Sequence, residues 1–236
     1  MRYVVLFVIA VLGGFAASVR YGLIEIPRQW NPWAPLVLAD TPNLLTRWKL
    51  ERLDADEDAC QDALRQATMR YVQIPDDITG PGCGFNNAVR IQSTTAAVGE
   101  PFALSCRAAV SLAMWEQHVL QPVSAAEFGQ PVKRLEHFGS YACRGLYGRK
   151  DGRRSQHATA DALDVAGFVL ADGHRIRVLK NWEAPAGDVA GDRDARFLRT
   201  VRDGACKFFD AVLSPDYNAA HRDHFHLDRG SFGVCR

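Results

Sequence analysis

Ser155-Gln156-His157-Ala158-Thr159-Ala160-Asp161-Ala162-Leu163-Asp164 is the stretch around which the rest of the chain is organised. It sets an imidazole and a carboxylate seven positions apart, with a serine two residues before the histidine. A second cluster, His221-Arg222-Asp223-His224-Phe225-His226-Leu227, lies near the C-terminus. Together they supply a His/Asp/His set suited to Zn²⁺, which takes nitrogen and oxygen donors and, in catalytic sites, keeps one position open. Either pattern alone arises often by chance. The two together, with His221 adding a further imidazole, point to a metal site.

Working outward, Ala162 to Leu170 alternates like a strand, Asp172-Gly173 is a turn signal, and Arg175 to Leu179 returns. That predicts a β-hairpin with Asp164 near its beginning. Alternate side chains on a strand share a face. In a short strand over 224–228, His224 and His226 therefore point one way and Phe225 and Leu227 the other. Asp164 has Ala162 and Ala166 as same-face neighbours, which leaves room for an ion and a substrate. Upstream, Gly139 to Arg144 leads into a basic, glycine-rich loop over 145–154.

The remaining elements follow from periodicity. Cys60, Leu64, Ala67 and Tyr71 recur at helical spacing from about Asp54, and Leu104, Ala108, Leu112, Trp115 and Val119 predict a helix over 103–120. Phe197, Leu198, Val201, Ala205, Phe208, Phe209 and Val212 predict an amphipathic helix over roughly 193–213, ended by Ser214-Pro215. Val89–Ser93 and Val132–Phe138 read as strands. Trp115 is expected in the core. Trp182 is expected there too, with the cleft wall as the alternative. His118, His137 and His174 have no companions and are expected at the surface. Helices and strands mix without a βαβ rhythm, so the expected class is α+β, a small antiparallel sheet flanked by helices.

Tyr3 to Val19 is apolar and uncharged, flanked by Arg2 and Arg20. An uncleaved anchor and a cleaved signal peptide both fit. The anchor is favoured, because Arg20 follows closely and the run exceeds a usual signal core. Residues 1–24 are thus read as the anchor or signal. Residues 25–45, with Pro27, Pro32, Pro35 and Pro42, are read as a tether. Its Trp30 and Trp33 are expected either at the lipid headgroups or packed on the domain. Residues 46–236 form the exported domain. Lys+Arg of 28 against Asp+Glu of 27, with no basic stripe, argues against nucleic acid as a partner. Six widely spaced cysteines, none in a CxxC pair, read as three disulfides in an oxidising compartment. Cys206–Cys235 is the preferred pair because both lie late in the chain.

Ser155-x-His157 through Ala162-x-Asp164 resembles the SxHxxGxAxD motif of zinc D-Ala-D-Ala peptidases. His221-x-x-His224-x-His226 resembles the HxxHxH stretch of penicillin-insensitive murein endopeptidases. More specifically, the chain from about Lys49 to Asp228 resembles the bacterial extensin-like C-terminal domain family. The residues that carry this are Tyr141-x-Cys143-Arg144, Ser155-x-His157-Ala158, Asp164-Val165-x-Gly167-Phe168 and His221-x-Asp223-His224-Phe225-His226-Leu227-Asp228.

The resemblance implies zinc held by His157, Asp164 and His226, with His224 as a catalytic companion, beside a small antiparallel sheet. Two departures stand out. Ala160 occupies the motif's glycine position, so a different turn is expected there. The ExxH base is also missing: Asp223 lies three before His226, but regular strand geometry would point it to the opposite face. His224 is therefore the expected base. Arg144 is a candidate for the oxyanion or a substrate carboxylate, and His221 is counted with the catalytic residues. Ser155 either binds a ligand or caps a turn. The expected protein is a zinc peptidase acting on peptidoglycan, single-pass in the inner membrane with its C-terminal domain in the periplasm. The alternative is a non-catalytic wall-binding module on the same fold.

Overall fold

The computed structural model describes residues 1–149, 152–183 and 189–236. Lys150 and Asp151 of the basic loop lie outside the described residues. The first helix, α1 (Arg2–Arg20), has no buried residue and is long and apolar enough to cross a membrane; a signal sequence has the same character.

Two short helices, α2 (Leu44–Arg52) and α3 (Glu57–Leu64), precede strands β1 (Arg70–Ile74), β2 (Asp77–Gly80), β3 (Cys83–Phe85), β4 (Ala88–Ser93) and β5 (Ala97–Ser105). Helix α4 (Cys106–Trp115) runs through a π-helical turn, Glu116–Leu120, into α5 (Gln121–Phe128). Then come β6 (Val132–Gly139), β7 (Ala162–Leu170), β8 (Arg175–Arg177), α6 (Val178–Asn181), α7 (Val189–Ala205), β9 (Ala211–Leu213), β10 (Phe225–Asp228) and β11 (Val234–Cys235). Among the described residues, nine strands form one sheet in the order β1-β4-β5-β6-β7-β10-β9-β11, with β8 also on β7, while β2 and β3 pair separately.

The α+β class is as expected, but the sheet is larger than predicted and mixed. β5 and β6 run parallel because α4 and α5 carry the chain back across before β6 begins. β11 also runs parallel to β9. One face of the sheet holds the core: Leu163, Val165, Phe225 and Leu227 are fully buried together with Trp115, Phe168 and Phe197. The indole of Trp115 donates to the Val201 carbonyl (2.9 Å).

Three elements end differently from the periodicity. The helix predicted over 103–120 starts at Cys106, where Ser105 caps it by accepting from the Ala108 N–H. Tyr71 lies on β1 rather than on a helix continuing from Cys60. The last long helix stops at Ala205, and Val212 lies on β9. Phe208, Phe209 and Val212 are buried as expected, but as a turn and a strand. Leu36 and Leu38 are buried in the core, so the second half of the segment read as a tether is laid on the domain.

All six cysteines are paired. Cys60–Cys106 joins α3 to α4, Cys83–Cys143 joins the β2–β3 hairpin to the segment after β6, and Cys206–Cys235 ties the end of α7 to β11.

Candidate metal centre

Antiparallel pairing of β10 with β7 sets His226 directly opposite Asp164. Residues opposite one another across such a pair share a face. On the other side of Asp164 the register partner is Gly139 of β6, which has no side chain to intrude and whose φ of +109° suits glycine. The alternation predicted for β10 holds: Phe225 and Leu227 enter the core, while His226 and Asp228 face the site.

His157 comes from a single 3₁₀ turn, Gln156–Thr159. Ser155 caps that turn by accepting from the His157 N–H (3.4 Å), and it also lines the cavity over the site. Ala160 closes the turn at φ +54°, the left-handed conformation a glycine takes without strain. Behind the turn, Asp161 accepts from the Ser105 hydroxyl (2.5 Å), Arg107 Nε (2.8 Å) and the Thr159 hydroxyl (2.7 Å).

Three atoms converge at the centre. His157 Nε2 and His226 Nδ1 stand 3.1 Å apart, and Asp164 Oδ1 lies 3.1 Å from the first and 2.9 Å from the second. The outer nitrogen of each ring is already committed. His157 Nδ1–H donates to the Ser140 carbonyl (3.1 Å), and His226 Nε2–H donates to Asp228 Oδ2 (2.8 Å). With both rings neutral, the inner nitrogens carry bare lone pairs facing a carboxylate. Three acceptors at such distances repel unless a cation or a proton lies among them.

The titration properties express the same crowding. Burial raises the Asp164 pKa, but the two imidazoles outweigh it and hold the carboxyl well below its usual range. Burial lowers the His226 pKa, but Asp164 and Asp228 outweigh it and push it up to about 9. His221 goes the other way: burial, then its neighbours His224 and His226, bring it down to about 4.

The metal-ligand set expected from the sequence is thus brought together, and among the described residues it is a group of His, Asp and His placed to hold a metal ion. Ligands 2.0–2.1 Å from a tetrahedral zinc stand roughly 3.3 Å apart, close to the separations found. Each imidazole has a carbonyl or carboxylate behind it, the arrangement that orients metal-bound histidines. Asp228 in that role was not assigned from the sequence, although its place two residues after His226 puts it on the same face.

The expected catalytic residues lie around this group. His224 precedes β10 rather than starting it; its Nδ1–H donates to Asp223 Oδ1 (2.8 Å), and its Nε2 stands 3.6 Å from Asp164 Oδ1. Asp223 therefore turns towards His224, because it lies ahead of the strand whose alternation would have directed it away. His221 Nδ1–H donates to Asn218 Oδ1 (2.8 Å), and its ring packs on those of His224 and His226.

A cavity of about 340 Å³ opens over these groups. Arg144, Arg153 and Arg154 line it, with Leu146, Tyr217 and Phe232 among the other lining residues. Among the described residues no carboxylate pairs with any of the three arginines. A larger hollow, about 530 Å³, includes Asp54, Arg107 and Asp161 in its lining, but their charges are already paired with one another.

Trp182 is buried, donates to Asp216 (3.0 Å) and packs on Phe225, so it belongs to the core and not to the cavity wall. The three other histidines are tied down. His118 contacts the Leu38 carbonyl (2.6 Å), His137 the carbonyls of Val98 and Glu100, and the exposed His174 pairs with Asp194 (2.9 Å).

Residues 58–236 match the family described as Extensin-like protein C-terminus. The chain belongs to this family. The matched region starts inside α3 and takes in every cysteine, the His/Asp/His group, Arg144, His221 and His224; α1 and α2 lie outside it. No match was found among curated proteins or among solved structures. The likeness to zinc peptidases rests on the motif residues alone.

Proposed function

We propose that this extensin-like chain is a membrane-anchored zinc-dependent peptidase whose domain lies outside the cytoplasm, in the periplasm, and acts on peptidoglycan stem peptides or cross-links. The observation that carries this reading is the inward convergence of three acceptors whose outer partners are already fixed. His157, Asp164 and His226 would hold the ion. When bound, Zn²⁺ supplies Lewis acidity that polarises a carbonyl and makes a water more acidic.

The chain's own groups supply the rest. Asp223 holds the His224 proton on Nδ1, which leaves Nε2 bare and directed at the site. That nitrogen takes a proton from the attacking water and returns it to the leaving amine. The carboxylate behind the ring favours the imidazolium formed in between. Arg144 and Arg153, which pair with no carboxylate among the described residues, offer guanidinium groups to a substrate carboxylate, which such forks bind bidentately, while Arg154 Nε already donates to the Pro81 carbonyl (2.9 Å). His221, held neutral, packs against His224 and limits its movement.

The test is incubation of the zinc-loaded chain with purified peptidoglycan, with products identified by mass spectrometry. Wild-type protein should release peptide fragments. His224→Ala should keep its zinc and lower the rate by about 10²–10⁴, the usual worth of a positioned acid–base group. Wall binding without hydrolysis under any metal loading would contradict the peptidase reading and favour a binding module.

A further inference from the structure

The chain contains five tryptophans. Trp115 and Trp182 are buried (0% and 5% exposed), whereas Trp30, Trp33 and Trp48 are open to solvent (51%, 78% and 38%). Leu44, one turn before Trp48 on α2, is 90% exposed. Leu44 and Trp48 are four residues apart and so share a face of that helix.

The two parts of this patch are joined by hydrogen bonds. The Asn43 amide donates to the Gln29 carbonyl (2.9 Å), Lys49 Nζ to the Arg28 carbonyl (2.8 Å) and Arg52 Nη1 to the Pro32 carbonyl (3.2 Å). Arg52 also lies over the Trp48 ring, 5.0 Å from its centroid. Each exposed apolar residue is therefore within one position of a bond or ring contact joining α2 to the segment ahead of it. Among the described residues, the other exposed large apolar side chains of the domain are Val72, Ile78, Phe138, Leu146, Leu179 and Phe232. They are spread over separate elements, and two of them line the metal-site cavity.

We infer that the face carrying Trp30, Trp33, Leu44 and Trp48 docks on the lipid bilayer, so that the domain lies against the membrane and is not held off it by a tether. The inference rests on the reading of α1 as a membrane span. Indole rings partition to the boundary between headgroups and acyl chains, where the apolar body is buried and the N–H stays wet. The exposed Arg52 guanidinium over the Trp48 ring supplies a cationic group suited to phosphate headgroups, whereas Lys49 is buried and Arg28 is paired with Asp40 (2.9 Å).

Chain length commits the occupant. With residues 28–32 pinned to α2, only Tyr21–Pro27 separates the end of α1 from the patch. Seven residues fully extended reach roughly 25 Å. The patch must therefore remain next to the surface into which α1 inserts, and the bilayer is the apolar surface always within its reach.

Trp emission reads this directly, because α1 contains no tryptophan. The full chain is reconstituted in phospholipid vesicles, with or without bromine on the acyl chains. Bromine near an indole quenches it. We expect blue-shifted emission that falls in the brominated vesicles. The combined variant Trp30→Ser, Trp33→Ser and Trp48→Ser retains only the buried pair, and its emission should not respond to bromine. Wild-type emission unaffected by bromine would overturn the inference. A blue shift without quenching, with a doubled mass in the membrane, would assign the patch to a second copy of the chain and overturn it equally. Extraction with alkaline carbonate is the separate test of the span: release from vesicles refutes the span, while quenching alone decides the docking face.

Discussion

Asp161 and Asp164 stand three residues apart in one motif, yet they are held in opposite ways. Asp161 is buried with three donors around it, among them the fixed cation of Arg107. It lacks nothing. Asp164 faces two imidazoles whose inner nitrogens are acceptors when neutral, and no arginine or lysine pairs with it among the described residues. The first arrangement fixes a turn; the second is complete only with a cation or proton at its centre. Both are carboxylates largely withdrawn from solvent beside nitrogen, and what separates them is whether the partner brings its own charge.

The largest effect that distinguishes them is on folding. Asp161→Ala leaves the buried Ser105 hydroxyl without its partner and Arg107 with Asp54 alone. It should cost about 2 kcal/mol in urea unfolding, the worth of a buried hydrogen-bonding group left unsatisfied. The folded variant should still take up one zinc, about tenfold more weakly, because the turn carrying His157 is less firmly set. Asp164→Ala should show the reverse, a smaller stability loss in the metal-free protein and no stoichiometric zinc. Exchange of these two outcomes would break the distinction.

A second, smaller effect is the pH dependence of the metal-free protein. The folded pKa of His226, about 9, stands above the ~6.5 of a free imidazole. The stability this gives is complete below ~6.5 and is lost as pH rises through about 9. Asp164, depressed, acts at the acid end: its contribution is present above ~4 and lost as pH falls through its folded value. Zinc has to displace the His226 proton, so its affinity should climb over the same alkaline window in which the metal-free fold weakens. Urea midpoints in chelator and zinc titrations between pH 6.5 and 9 should therefore slope in opposite directions. Parallel slopes would show that the proton and the metal do not compete for one place.

How far the sequence carried this comparison depends on the element. Phe225-His226-Leu227-Asp228 and the start of β7 were legible because side-chain alternation at an edge between core and cavity is a period-2 signal. The joining of His157 to them came through a motif, with spacing too weak to show it alone. The Ser140 carbonyl behind His157 left no trace, since a backbone acceptor has no residue type. Nothing local marks Asp161, because its partners, Ser105 and Arg107, are more than fifty positions away. The parallel pairing of β5 with β6 was hidden for a similar reason: it follows from a helical crossover and not from either strand's pattern. Beyond Ala205, Phe208, Phe209 and Val212 keep helix-like spacing by coincidence, while their burial comes from a turn and β9. Before Leu44, a proline-rich composition masked Leu36 and Leu38, which the core buries.

The smallest expected effect lies immediately before the first of the two acids, at Ala160. Its left-handed backbone costs roughly 1–2 kcal/mol that glycine would not incur. Loss of a buried methyl and a more flexible unfolded chain offset about 1 kcal/mol of that. Ala160→Gly should shift the unfolding midpoint by a fraction of a kcal/mol, towards stability, and leave zinc binding unchanged. A large loss of either would show that the methyl group shapes the turn.

Metal stoichiometry tests the central claim most directly. Full-length protein, stripped with chelator and titrated with Zn²⁺, should bind one ion per chain, read by calorimetry and confirmed by elemental analysis. His157→Ala, Asp164→Ala and His226→Ala should each bind none at that site, since three ligands leave no redundancy, while His224→Ala should still bind one. A wild-type chain that takes up no zinc, or three single variants that all retain it, would contradict the assignment of these residues as a metal centre.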